Sequence, residues 1–326
     1  MGPNVSLSPR PALSVVIPLF NEEGVVRELC QRVSVSAHDC CDNVEIIFVN
    51  DGSIDATLER LILLSKENPQ MRIINLTRNF GHMSALTAGI NASKGDVVIV
   101  IDGDLQDPPE IFRMLFEKWK SGAEVVLAVR TKRCESFVRQ IGTRIFYALL
   151  SKWSGKLVPS QAGTYCLMDR KVVEILRQLP EKERFFAGLR AWVGFKQDVV
   201  LYERDKRYVG KSRVGLFGLM RLARTGIVSF SDVPLRIAAG FSFFACLLLL
   251  FFGSSVALIK VFTSLAVPGW ASMMVLTGFV GSFISLVLAV LCEYVAVIFK
   301  EVKGRPDFLV YSEIRSGHVV KFGAFN

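Results

Sequence analysis

Residues 97–110 read VVIVIDGDLQDPPE. An apolar, β-branched run from Val97 to Ile101 stops abruptly at Asp102, and Asp104, Asp107 and Glu110 follow, with Pro108 and Pro109 between the last two acids. A run of this kind bounded by turn residues reads as a strand buried on both faces. Its end needs an explanation, because carboxylates that repel one another are an odd way to leave an apolar core.

Outward from this strand, apolar runs alternate with amphipathic stretches. Leu13–Leu19 (LSVVIPL) reads as a strand followed by the helical NEEGVVRELCQRVS, and Val44–Val49 (VEIIFV) as a strand leading through DGSIDATLERLILLSKE. Arg72–Leu76 precedes NFGHMSALTAGINASKG, Asp96–Ile101 precedes DPPEIFRMLFEKWKSG, and Glu124–Val129 is a fifth strand. Short strand–helix repetition predicts an α/β fold, a mostly parallel sheet with helices on both faces. Such sheets bind ligands at the carboxyl ends of their strands. Asn21 and Glu22 follow the first strand, Asp51 the second, and Asp102 and Asp104 the fourth. Asp55 and Asp107 read as helix caps, the latter with proline at the first helical position.

Asp102 and Asp104 are two apart in an extended segment, so both side chains face one way. Two carboxylates on one side cost free energy unless a cation lies between them. Mg²⁺ or Mn²⁺, shared with substrate phosphates, answers the question posed by the strand end. The chain has neither a G-x-x-x-x-G-K-[ST] phosphate loop nor a G-x-G-x-x-G fingerprint, which sets aside P-loop and dinucleotide-binding readings.

Composition divides the chain. Half of it is hydrophobic (51%) yet 21% is charged, too apolar for a plain soluble enzyme and too charged for a membrane bundle. Ile237–Ile259 carries no charge and Ser272–Phe299 only Glu293. Each exceeds the ~20 residues that span a bilayer as a helix. Lys260–Ala271 is short and holds a Pro-Gly break, so a hairpin is expected. Arg221, Arg224 and Arg236 before it, and Lys300, Lys303 and Arg305 after it, place both chain ends and the globular domain in the cytoplasm. Glu293 is an intramembrane acid, read either as functional or as paired near the interface. Gly215–Phe230 reads as a basic amphipathic helix lying in the interface. The expected organisation is a tail over 1–12, a catalytic domain over 13–213, interfacial helices over 214–235, a hairpin over 236–299 and a cytoplasmic tail over 300–326. The net charge of +9 suits anionic membrane lipids and phosphate, and no basic-aromatic pattern indicates nucleic acid. Seven scattered cysteines with no repeated C-x-x-C indicate neither a disulfide framework nor zinc. Met1–Pro11 does not read as a secretory signal.

The segments SVVIPLFNEE, VNDGSIDAT, LTRNFGHMSALTAGI, DGDLQDPPE, RFFAGLRAWVGF and CEYVAVIFKEVKGRP together resemble membrane-anchored family 2 glycosyltransferases, of the polyprenyl-phosphate type represented by GtrB and dolichol-phosphate-mannose synthase. The resemblance runs from Leu13 to about Val310. It implies a Rossmann-like GT-A fold, a bacterial inner-membrane location, a homo-oligomer, and inverting transfer of a hexose to undecaprenyl or dolichyl phosphate. The implied donor is a UDP- or GDP-hexose, with UDP-glucose preferred, and the metal is Mg²⁺ or Mn²⁺. By motif, Pro18, Asn21, Glu22 and Asp51 would hold the nucleoside, with Asp102 near nucleoside and diphosphate. Asp104 and Gln106 would bind the metal. Arg130 would lie near the phosphates, Arg139 or Arg144 would meet the acceptor phosphate, and Lys211 in GKSRVG would cover the diphosphate.

One departure stands out. GTYCLMDR replaces the family's G-D-F-R-L-M-D-R, so Thr164 stands for an acid and Cys166 for an arginine. The implied nucleophile is a phosphate monoester, largely dianionic near neutrality because its second pKa is ~6. It needs placement and charge neutralisation more than a base. A catalytically degenerate scaffold or regulator is the alternative these substitutions motivate. A processive polysaccharide synthase lacks support, since there is no Q-x-x-R-W segment and only two membrane runs. A flippase would have Glu293 alone as its polar feature. No residue selects the hexose.

Overall fold

The computed structural model describes residues 12–131, 162–182, 184, 186–203, 233–262 and 269–322. Strands β1 (Leu13–Leu19), β2 (Val44–Asn50) and β4 (Val97–Val100) are buried at every position, and β3 (Met71–Leu76) nearly so. Strands without polar alternation need cover on both faces. Helices α1 (Val26–His38) and α2 (Thr57–Glu67) and, further on, α4 (Phe112–Lys120) supply one cover. They set Leu29, Val33, Leu61, Phe112 and Leu115 against Val15, Ile17, Phe48 and Ile99. On the opposite face lie α3 (His82–Ala92), α5 (Arg170–Gln178) and α6 (Phe186–Trp192). There Leu86, Val172, Leu176 and Phe186 meet Val16, Ile47, Val49 and Val100. Neighbouring residues of one strand thus enter opposite cores, as a period of two requires.

The remaining strands are β5 (Val125–Arg130), β6 (Ala162–Asp169), β7 (Gln197–Tyr202), β8 (Val310–Arg315) and β9 (His318–Phe322). All nine form one sheet in the order β7-β5-β6-β4-β1-β2-β3-β8-β9. The expectation of a mostly parallel sheet is corrected. β1–β2, β1–β4, β2–β3 and β5–β7 are parallel, but β4–β6, β5–β6, β3–β8 and β8–β9 are antiparallel. The sheet is mixed because β6 inserts between β4 and β5, and the last two strands add as a hairpin.

That hairpin also corrects the reading of 300–326 as a tail. Ser316 (φ 48) and Gly317 (φ 78) make its two-residue turn, and two successive positive φ values are what a type I′ hairpin turn demands. A buried ion cluster fastens β8 to the sheet. Arg72 Nε donates to Glu313 at 3.1 Å, and its Nη1 bonds Glu45 and the Ala92 carbonyl. Burial alone would raise the Glu313 carboxyl, but Arg72 and Arg315 outweigh it and hold it below its ordinary value.

Two long helices complete the chain, α7 (Val233–Phe262) and α8 (Trp270–Val302), and they touch one another. Within α8, Leu276–Val302 is long and apolar enough to cross a membrane. The interfacial helix expected before α7 lies, up to residue 232, outside the described residues. The foot of α8 is tied to the α5–α6 connection. Glu301 accepts the Lys182 amide at 2.8 Å, and Asp307 faces Lys182 and Arg184 at 3.7 and 3.9 Å.

Candidate active site

The covers change sides between β1 and β4, since α1 follows β1 on one face and α3 precedes β4 on the other. A crevice at the carboxyl ends of these strands is the place where such sheets bind ligands. β1 pairs with β4 only as far as Val16. Pro18 lies just beyond, where its missing N–H costs no ladder bond on that side.

Asn21 turns the chain out of β1 in the left-handed region (φ 53), which asparagine tolerates better than most residues. Its Oδ1 accepts the Ile54 amide at 2.9 Å and its own amide donates to Ser53 Oγ at 3.0 Å. The Glu22 amide donates to Thr57 Oγ1 at 2.9 Å. The β1 and β2 ends are thereby stitched together. Gly52 allows this turn to seat: at φ +65, a Cβ there would stand 2.4 Å from the Arg78 backbone carbon. Asp55 accepts the Thr57 amide at 3.1 Å, but the N-cap of α2 is Ala56 with no side-chain bond, so Asp55 braces the turn before the helix and is not the cap expected.

Asp51 was expected against a nucleoside. It is 2% exposed, and its two oxygens accept the Phe80 and Gly81 amides at 2.8 and 2.9 Å. Burial pushes its carboxyl up despite these bonds. In this conformation Asp51 acts on the rim indirectly, by holding the turn that places His82 at the first position of α3.

His82 Nε2 lies 3.4 Å from Asp102 Oδ1, and Thr164 Oγ1 donates to the same oxygen at 2.8 Å. The residue standing in for the family's acid is therefore a hydrogen-bond partner of the first D-x-D carboxylate. Asp104 Oδ1 accepts the Gln106 amide at 3.2 Å. Between them Leu105 is buried with φ 56, a costly conformation for a branched side chain and one that clusters at functional loops. Among the described residues no group of three His, Cys, Asp or Glu side chains forms a metal cage. The oxygen donors of Asp102, Asp104 and Gln106 fit instead a hard cation that completes its shell with water and phosphate oxygens.

Asp107 is not the cap that Asp-Pro predicts. Pro108 is extended (ψ 126) and the 3₁₀ turn begins at Pro109 without a side-chain cap. The Asp107 side chain is fully buried and accepts from Arg130 Nη2 at 3.1 Å and from the Tyr202 hydroxyl at 2.6 Å. Arg130 Nε donates to Tyr202 Oη at 3.0 Å. Burial disfavours this guanidinium, but Asp107 and Tyr202 more than offset it, and the pKa is raised. Tyr165 packs edge-on against Tyr202 and bonds the Pro108 carbonyl at 2.8 Å. The Arg130 fork is thus locked at the end of β5, beside the loop that carries Asp104. Asp169 does cap α5, accepting the Lys171 amide at 3.0 Å.

Pro18, Asn21, Glu22, Asp51, Asp102, Asp104, Gln106 and Arg130 all lie along the carboxyl rim of the sheet. Arg139, Arg144 and Lys211 lie outside the described residues. His82, Tyr202 and the roles of Asp107 and Thr164 were missed. His82 could have been noticed, since it opens the helix that follows β3.

Residues 14–176 match the family described as glycosyl transferase family 2. The bactoprenol glucosyl transferase of Shigella phage SfX is 37% identical over 301 residues, covering 92% of this chain and 99% of that protein. The glycosyltransferase YkcC of Bacillus subtilis (strain 168), described as uncharacterized, is 41% identical over 305 residues, 91% of this chain and 92% of that one. A crystal structure of glucosyl-3-phosphoglycerate synthase from Mycobacterium tuberculosis with uridine diphosphate aligns with a TM-score of 0.47 and 22% identity, over 68% of this chain and 79% of that chain.

Proposed function

The chain belongs to glycosyl transferase family 2 and is a glycosyltransferase, and we propose that it moves glucose from UDP-glucose to the phosphate of a polyprenol such as undecaprenol. The observation that carries this reading is likeness over nearly the whole chain to bactoprenol glucosyl transferases, joined to carboxylates at the crevice between β1 and β4.

Asn21 and Glu22 border the nucleoside end of that crevice, and Asp51 shapes it through the Phe80–Gly81 turn. Asp104 and Gln106 hold Mg²⁺ or Mn²⁺, with Asp102 beside them; when bound, the cation supplies Lewis-acid stabilisation of the departing nucleoside diphosphate. Arg130 has two of its N–H groups engaged by Asp107 and Tyr202, so its remaining donors are pre-aimed rather than free to search. The attacking phosphate oxygen is already anionic near neutrality. Thr164 therefore leaves no missing base, and its bond to Asp102 supports an active site over a degenerate one. A single displacement inverts the anomeric centre and gives a β-linked lipid sugar from an α-linked donor. Arg139 or Arg144 meets the acceptor phosphate and Lys211 covers the diphosphate. Helices α7 and α8 cross a bacterial inner membrane as a hairpin, with the interfacial segment before them and the catalytic domain and both chain ends in the cytoplasm; the protein assembles as a homo-oligomer.

The full chain in detergent, with Mg²⁺ or Mn²⁺, undecaprenyl phosphate and a panel of nucleotide sugars, is expected to yield a hexosyl-phosphate lipid by mass spectrometry. Asp104→Ala should cut the rate by ~10³-fold, since metal stabilisation is worth several kcal/mol. Absence of lipid-linked sugar with every donor would overturn the assignment. An Asp104→Ala strain with an intact phenotype would instead favour a scaffold.

A further inference from the structure

Two side chains from different elements meet at one oxygen of the D-x-D. Thr164 Oγ1 donates to Asp102 Oδ1 at 2.8 Å, and His82 Nε2 lies 3.4 Å from the same atom. Thr164 stands on β6, the antiparallel neighbour of β4. The register Val100↔Cys166, carried on in both strands, sets Thr164 opposite Asp102. His82 comes instead from the start of α3. A carboxylate turns easily about its last torsion, which is broad and two-fold. Two contacts on one oxygen, held by separate elements, restrict that rotation and fix the second oxygen with it.

His82 is itself held in place. Asp51 accepts the Phe80 and Gly81 amides at 2.8 and 2.9 Å. Gly81 then enters α3 at φ 98, a conformation that favours glycine, and its carbonyl accepts the Ala85 amide at 3.1 Å. The imidazole thus rides on a braced helix start. Its side chain is 43% exposed and that of Asp102 27%, so the contact lies at the rim and not in the core. An exposed pair of this kind adds little to stability; its effect falls on the orientation of Asp102.

We infer that His82 is a positioning residue for the reaction: with Thr164 it pins Asp102 Oδ1, so that Oδ2 is presented in one orientation to the cation and the donor diphosphate. This deepens the proposed function and rests on it. A neutral imidazole with its proton on Nε2 is a sufficient donor, so no change of protonation is involved. The turn braced by Asp51 acts on the D-x-D through His82, and the acceptor side is untouched.

The test uses the full chain in detergent. His82→Phe keeps a ring and removes the donor, whereas the side-chain amide of His82→Gln can replace Nε2. Mn²⁺ binding in the presence of UDP is read by electron paramagnetic resonance, melting temperature is read without ligand, and KM is read for UDP-glucose and farnesyl phosphate. His82→Phe should weaken Mn²⁺ binding and raise the KM for UDP-glucose by about 10-fold each, the lower end of the worth of a hydrogen bond to a charged group, because the contact is long and partly exposed. The KM for farnesyl phosphate and the ligand-free melting temperature should not change. His82→Gln should recover part of the loss. In an Asp102→Ala background, which leaves Asp104 and Gln106 for the cation, His82→Phe should add nothing, since a residue acting through Asp102 has nothing left to position. Unchanged Mn²⁺ binding in His82→Phe would overturn the inference. So would a loss that adds in full to that of Asp102→Ala, which would put His82 in direct contact with the ligand. Equal losses in His82→Phe and His82→Gln with a lowered melting temperature would overturn it too, by making His82 structural. Wild type that binds Mn²⁺ and UDP but forms no lipid-linked sugar overturns the proposed function and leaves the binding comparison to decide this inference; wild type that binds neither overturns both.

Discussion

Arg72 lies between β2, β3 and β8 with Glu45 and Glu313 against it, whereas Arg190 lies under α6 with a carbonyl, a thiol and an aromatic ring around it. Both are withdrawn from water, at 6% and 2% exposure. The first has its counter-charges inside the fold and sits on the side of the sheet away from the D-x-D loop. Among the described residues the second has none, and it sits beside the segment that reaches Asp102. Arg130 falls between them, with one buried carboxylate and donors to spare. A desolvated charge that the fold neutralises acts as a clamp.

That contrast predicts opposite responses to the same change of residue. Arg72→Met strands two buried carboxylates and should cost about 3–5 kcal/mol, seen as a large drop in melting temperature, while Arg190→Met should not lower it. Equal losses in the two variants would erase the distinction. Asp107→Asn keeps the shape but removes the charge facing Arg130. It should lower kcat/KM by about 10–100-fold, the 1.5–3 kcal/mol of a charged hydrogen bond, and an unchanged kcat/KM would show that the Arg130 fork needs no such anchor. Thr164→Val removes one neutral donor to Asp102, worth about 0.5–1.5 kcal/mol. A drop of roughly 2–10-fold in kcat/KM is expected, with Thr164→Ser near wild type; equal loss in both variants would point to packing. The mildest test uses pH. Glu313 has its folded pKa held below the ordinary value near 4.3, so its stabilisation is complete above that value and is lost as pH falls through the lower folded one. Melting curves at decreasing pH should show Glu313→Gln losing less stability than wild type over this acid range. A parallel decline would remove Glu313 from the clamp.

The parallel heart of the fold was legible because each strand is a buried aliphatic run and each helix has one apolar face. The carboxylates after β1, β2 and β4 were legible for the same reason, since knowing where a strand ends locates its rim. The antiparallel strands were not. β6 inserts between β4 and β5 out of sequence order, and β8–β9 follow the apolar helices in the chain, so neither continues the strand–helix rhythm. The Ser316–Gly317 pair was a hairpin signal, overlooked because it lies past the hydrophobic run. Asp107 shows the limit of local rules. Asp-Pro looks like a cap whether or not a guanidinium waits behind it, and Arg130 and Tyr202 are brought there by β5 and β7.

Composition and local order were enough to establish a strand–helix catalytic domain, two long apolar helices and an acidic rim, because burial on two faces, helical length and side-chain alternation are properties of neighbouring residues. Tertiary structure alone decided that Asp51 braces a turn, that Thr164 serves Asp102, and that Glu45 and Glu313 neutralise Arg72. Those outcomes depend on which distant groups share a buried space, and the free energy of a charge out of water is set by that company rather than by its neighbours along the chain.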